Sequence, residues 1–221
     1  MKILYILPVV FLLGAAAPFL SVSSSQESSL DQRVKNFLGN HDWGWRDMNV
    51  PVADGRTLHD IILENNYTQA LEIGTSTGHS TIWIAWALSK TGGKVITIEI
   101  NEKRYREALE NFKKAGVSEY IDARLGDAHN IVPALEGPFD FVFSDADKSW
   151  YKNYLDAVLP KLKLGGCYTT HNVSTGQGKG WGRNQDYLEY LRSLPNLKTT
   201  VDERGNGLAV SYKTGKKSSQ K

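Results

Sequence analysis

The chain has 221 residues, with 26 Lys and Arg against 24 Asp and Glu, for a net charge of +2. That balance is too small to argue for nucleic acid or another polyanion as a partner. The length allows one sizeable core, and the single cysteine, Cys167, excludes an internal disulfide framework.

Lys2 precedes an almost uncharged apolar run, Ile3 to Ala17, and a serine-rich stretch to Ser29 follows. Residues 1–25 read as a secretory signal peptide, because the run is short for a span of about 20 residues. The alternative is an uncleaved N-terminal membrane anchor. Pro18 disfavours cleavage after Ala17, so processing is expected near Ser23 to Ser25. The rest is expected to be one domain, residues 28–213, secreted or periplasmic and not embedded in a membrane. A basic tail, 214–221, follows it.

Leu30 to Leu38 is amphipathic and predicts a short helix. His41 to Val50 carries Trp43, Trp45 and Met48 in a loop that Pro51 ends. Asp54 to Asn66 predicts a helix with Leu58, Ile61 and Ile62 on related faces. Strands and helices then alternate. The strands are expected at Gln69–Ile73, Lys94–Glu99, Tyr120–Leu125, Phe139–Ser144 and Cys167–Thr170. The helices between them are expected at Ser80–Ser89, Glu102–Ala115, Asn130–Leu135 and Ser149–Leu162. A glycine-rich loop, Ser174 to Gly182, leads to a helix at Asn184–Ser193. Two last strands, Lys198–Asp202 and Gly207–Tyr212, form an antiparallel hairpin. The fold class is therefore α/β, a Rossmann-like, doubly wound, mostly parallel sheet of seven strands.

In such a sheet, ligands bind outside the carboxyl ends of the strands. Strand one ends in Gly74-Thr75-Ser76-Thr77-Gly78, a turn where the backbone can approach a ligand closely. Ser76 stands where a dinucleotide fingerprint has glycine, which weighs against NAD. Strand two ends in Glu99, placed to accept both hydroxyls of a ribose. Asp127 follows strand three and suits either an adenine amine or a helix N-cap. Strand four ends at Asp145, and strand five at His171-Asn172.

These motifs together resemble a class I S-adenosylmethionine-dependent methyltransferase, within it the catechol and caffeoyl-coenzyme A O-methyltransferase family. The resemblance runs from about Met48 to Asn172. Its carriers are Leu71-Glu72-Ile73-Gly74, Ile98-Glu99-Ile100-Asn101, Phe139 to Lys148 and Tyr151 to Tyr154. It implies methyl transfer from S-adenosyl-L-methionine to a hydroxyl of a small, aromatic, catechol-like acceptor, and a homodimer. It implies that Met48 and Val50 close over the cofactor and that Glu72 and Gly74 line its methionine and ribose side. Ser80 would hold its carboxylate at a helix N-terminus. Glu99 would take the ribose, Ala128 would lie beside the adenine, and Tyr154 would face the amino-acid end. Thr75, Ser76, Gly78, Ile100, Asp127, Asp145 and Asp147 complete the implied cofactor set. Lys148 would be the general base.

Asp145, His171 and Asn172 stand where the family holds a divalent metal, but the family's second ligand is an aspartate. Imidazole suits magnesium poorly and manganese or another transition metal better. The alternatives are metal-free catalysis, in which His171 acts as base or orients the substrate, and a histidine that merely caps the strand end. Trp150, Trp181, Trp43 and Trp45 are candidates to stack on the acceptor. Rival readings are a nitrogen- or protein-directed methyltransferase of the same fold and a non-catalytic cofactor-binding protein. Export sits awkwardly with a cofactor made in the cytosol.

Overall fold

A computed structural model describes residues 28–40, 48–176 and 184–215. The expected signal peptide, the three tryptophans Trp43, Trp45 and Trp181, and most of the tail lie outside these. No helix among the described residues is long and apolar enough to cross a membrane.

Among the described residues, seven α-helices and seven strands follow in the order α1 (Ser29–Asn40), α2 (Val52–Asn65), β1 (Gln69–Ile73), α3 (His79–Thr91), β2 (Lys94–Glu99), α4 (Glu102–Ala115), β3 (Ile121–Leu125), α5 (Ala128–Ala134), β4 (Phe139–Ser144), α6 (Tyr151–Val158), β5 (Leu162–His171), α7 (Gln185–Ser193), β6 (Leu197–Asp202) and β7 (Leu208–Lys213). The strands make one sheet in the order β3-β2-β1-β4-β5-β7-β6. The first five are parallel, and β7 runs antiparallel to both β5 and β6.

β4 is buried at every residue, as a central strand covered on both faces must be. Alternate residues feed two cores. Phe141 and Phe143 pack with α1 to α4, whereas Val142 packs with α5 to α7. From His79 to Leu88, α3 is buried all round. It therefore shows little apolar periodicity, unlike α4, whose Ala108, Phe112 and Ala115 form one buried stripe.

Most boundaries fall within two residues of the sequence expectation, and two differ by four or more. Helix α6 stops at Val158, short of Leu162, because Pro160 cannot continue it and a 3₁₀ turn takes over. Strand β5 begins at Leu162, not Cys167. Gly165 and Gly166 lie inside it, opposite a register shift on β4, and do not form a turn before it.

Two buried carboxylates fasten β1. Asp140 of β4 accepts the backbone N–H of Gln69 at 2.8 Å and of Thr68 at 3.1 Å, and Lys163 lies 3.2 Å away. Glu72, inside β1, accepts hydroxyl hydrogens from Ser80 at 2.6 Å, Thr97 at 2.5 Å and Thr81. It therefore joins β1, β2 and the start of α3. Complete burial pushes its carboxyl up to about 7, outweighing the three hydroxyls that favour the charged form.

Asp140→Ala removes the charged acceptor that two part-buried amides share and is expected to cost about 3 kcal/mol. A calorimetric melting temperature lower by about 6–12 °C checks this. Folded Glu72 keeps a proton that the unfolded chain releases above its ordinary value near 4.5. Stability should therefore fall as pH rises from about 4.5 to about 7. Melting curves across that window should show this loss in the wild type and a flatter profile in Glu72→Gln.

Candidate functional site

The sheet order reverses direction between β1 and β4, and a crevice opens at their carboxyl ends. A cavity of about 300 Å³ lies there. Its floor is the glycine turn. Gly74 adopts φ +101°, and a Cβ there would lie 2.6 Å from the carbonyl oxygen of Asp145. Only glycine fits that approach. The amides of Gly74 and Thr75 both donate to the Ile98 carbonyl at 3.1 Å, which pins the turn to β2.

Glu99 ends β2 with its carboxylate held at both oxygens. The Ser76 amide donates to one at 2.7 Å and the Asn101 amide to the other at 2.8 Å. A carboxylate has about four acceptor positions, so the group is oriented with capacity left for two ligand hydroxyls. Met48 and Ile100 flank it, both about 70 % exposed despite being apolar.

Of the residues expected at the cofactor, Met48, Val50, Gly74, Thr75, Ser76, Ser80, Glu99, Ile100, Asp145 and Asp147 line this cavity. Asn49, Arg104 and Ala146 also line it and escaped the sequence reading. Glu72 lies behind the wall, beneath Ser80. Gly78 caps α3 with φ +95° against the Phe112 ring. Asp127 is the N-cap of α5, accepting the His129 amide at 2.9 Å, and Ala128 is the buried first residue of that helix. Tyr154 is buried against Trp150 and His129. Trp150 itself stacks on His129 with ring centroids 3.8 Å apart. Asp147 accepts the hydroxyl and the amide of Ser149, which hold its carboxyl below the usual range.

Lys148 is exposed on the 3₁₀ turn that follows Asp145. His171 is buried, and both its ring nitrogens face carboxylates. Nδ1 lies 2.9 Å from Asp145 Oδ2, and Nε2 lies 3.0 Å from Asp54 Oδ2. Burial works against a charged imidazole, but Asp145 and then Asp54 outweigh it and raise the group to about 9. Asn172 follows in a left-handed conformation, φ 56°.

As a metal site this donor set does not fit. A histidine ligand offers a lone pair, and both nitrogens of His171 point at carboxylates instead. Service as ligand or as base would require it to leave one of them. Among the described residues, no group of three or more His, Cys, Asp or Glu is arranged to hold a metal ion. Asp54 was missed as a site residue. Its signal was legible: it shares the stripe of Leu58, Ile61 and Ile62 on α2, an acid on a buried face.

A family model described as O-methyltransferase matches residues 21–210. The catechol O-methyltransferase of Niastella koreensis is 40 % identical over 161 residues, covering 66 % of this chain and 72 % of that protein. The caffeoyl-CoA O-methyltransferase 1 of Eucalyptus globulus is 36 % identical over 134 residues, 58 % of this chain and 54 % of that one. The chain thus spans about half the length of that plant relative. An O-methyltransferase of Bacillus cereus, solved with SAH, superposes with TM-score 0.66 at 26 % identity, covering 87 % of this chain and 94 % of that one. The Streptomyces achromogenes O-methyltransferase of tomaymycin synthesis, solved with SAM, gives 0.67 at 26 %, covering 86 % and 92 %. With this sheet order, this crevice and a match over most of its length, the chain belongs to the O-methyltransferase family.

Proposed function

We propose that the chain transfers the methyl group of S-adenosylmethionine to a hydroxyl of a small aromatic, catechol-like acceptor. The observation that carries the reading is Glu99, a carboxylate oriented by two amides on the wall of a switch-point cavity. Beside it, Met48 and Ile100 offer apolar surface of the kind that a purine face covers. The relatives named for catechol and caffeoyl-CoA methylation support the acceptor class.

The sulfonium is an activated donor, so alignment does most of the work. The acceptor oxygen attacks the methyl carbon, and the carbon–sulfur electrons leave with sulfur as S-adenosylhomocysteine. The hydroxyl proton departs to a base, for which Lys148 supplies the amine nearest in sequence to Asp145.

Glu99→Ala is expected to weaken S-adenosylhomocysteine binding by about 2 kcal/mol, because charge-assisted hydrogen bonds are lost. Titration calorimetry measures this, and unchanged affinity would place the ribose elsewhere. Turnover of a catechol panel with S-adenosylmethionine separates an enzyme from a binding protein.

A further inference from the structure

The ring of His171 joins two carboxylates that come from distant parts of the chain. Asp145 follows β4 directly and lines the cavity. Asp54 lies on the first turn of α2 and is fully buried. The Asp54 oxygen that faces Nε2 also accepts the Asn206 amide at 3.0 Å. Gly205 makes room for it, since a Cβ there would meet the other Asp54 oxygen at 2.0 Å. That second oxygen has no hydrogen-bond partner among the described residues. The Asn206 amide and the His171 ring thus share one oxygen of this buried acid.

A carboxylate only accepts hydrogen bonds, so two of them facing one ring call for a hydrogen on each nitrogen. The imidazole is then a cation with no lone pair.

We propose that the Asp54–His171–Asp145 relay takes the place of a divalent ion, so that the protein works without a metal. His171 and Asp54 are positioning residues, holding the Asp145 carboxylate at the cavity wall. The proposal rests on the methyl-transfer reading for its role in turnover but not for its geometry.

Three measurements on the full-length protein test it. Titration with Mn²⁺ and with Mg²⁺ after chelation should show no stoichiometric site, and turnover should survive chelation. The ¹⁵N spectrum of histidine-labelled protein at neutral pH should show two ring N–H signals that disappear in His171→Asn. His171→Asp, which exchanges the cation for a third oxygen donor group, should gain a Mn²⁺ site. A stoichiometric Mn²⁺ site in the wild type overturns the proposal. So do turnover that chelation abolishes and Mn²⁺ restores, a single ring N–H, and His171→Asp that stays blind to Mn²⁺. Asp54→Asn keeps the shape and removes one charge. It should lower kcat on the order of 10-fold, which corresponds to about 1.4 kcal/mol of barrier, with S-adenosylhomocysteine affinity unchanged. Unaltered kcat overturns the relay. Failure of the wild type to bind S-adenosylhomocysteine would instead strike the methyl-transfer reading, with the metal and ¹⁵N readouts intact.

Discussion

At Gly74 the ends of β1 and β4 come so close that a methyl group would collide with the carbonyl of Asp145. The Asp145 amide donates to Ile73 at 2.8 Å across the same gap. This approach sets the width of the crevice. It brings the glycine turn, Glu99 and Asp145 onto one small cavity. Had β1 ended in a residue with a side chain, the two strand ends would splay, and Asp145 would leave the wall it shares with the turn.

Around that point, buried acids do the fastening. Asp140 anchors the start of β1, Glu72 its middle, and Glu99 the turn beyond its end. Each uses a different compensation for burial. Asp140 has backbone amides and a lysine, Glu72 has three hydroxyls, and Glu99 has two amides at a partly open site. Burial raises the Glu72 carboxyl in spite of its three hydroxyl donors, because hydroxyls compensate a buried charge less fully than its desolvation costs. The strand that carries the site is therefore held by polar contacts as much as by the apolar packing of its alternate residues.

The alternating elements were legible because local pattern and tertiary role agree there. Strands β1, β2 and β4 and helix α4 have the ends that their apolar runs, acids and glycines predicted. Glu99 could be placed at the cavity because a strand end beside a glycine turn lies at the carboxyl edge of the sheet. His171 could be placed but not interpreted. Its meaning comes from Asp54, 117 residues away, and no local pattern reports that pairing. Gly165 and Gly166 misled for the opposite reason. Their local signal is a turn, and only the neighbouring strand shows that they sit in a bulge.

The relay at His171 also orders events in time. The cofactor wall, from Met48 to Asp147, is complete in sequence two thirds of the way along the chain. Asp54 precedes it, yet the Asn206 amide that seats Asp54 lies in the last hairpin loop, next to Asp202 and Arg204, which bond to Thr57 on the same helix. On the ribosome, a nascent chain emerging N-terminus first would present every residue that lines the cavity while Asp54 still waited for the Asn206 amide. The loop between β6 and β7 thus seats the far end of the relay.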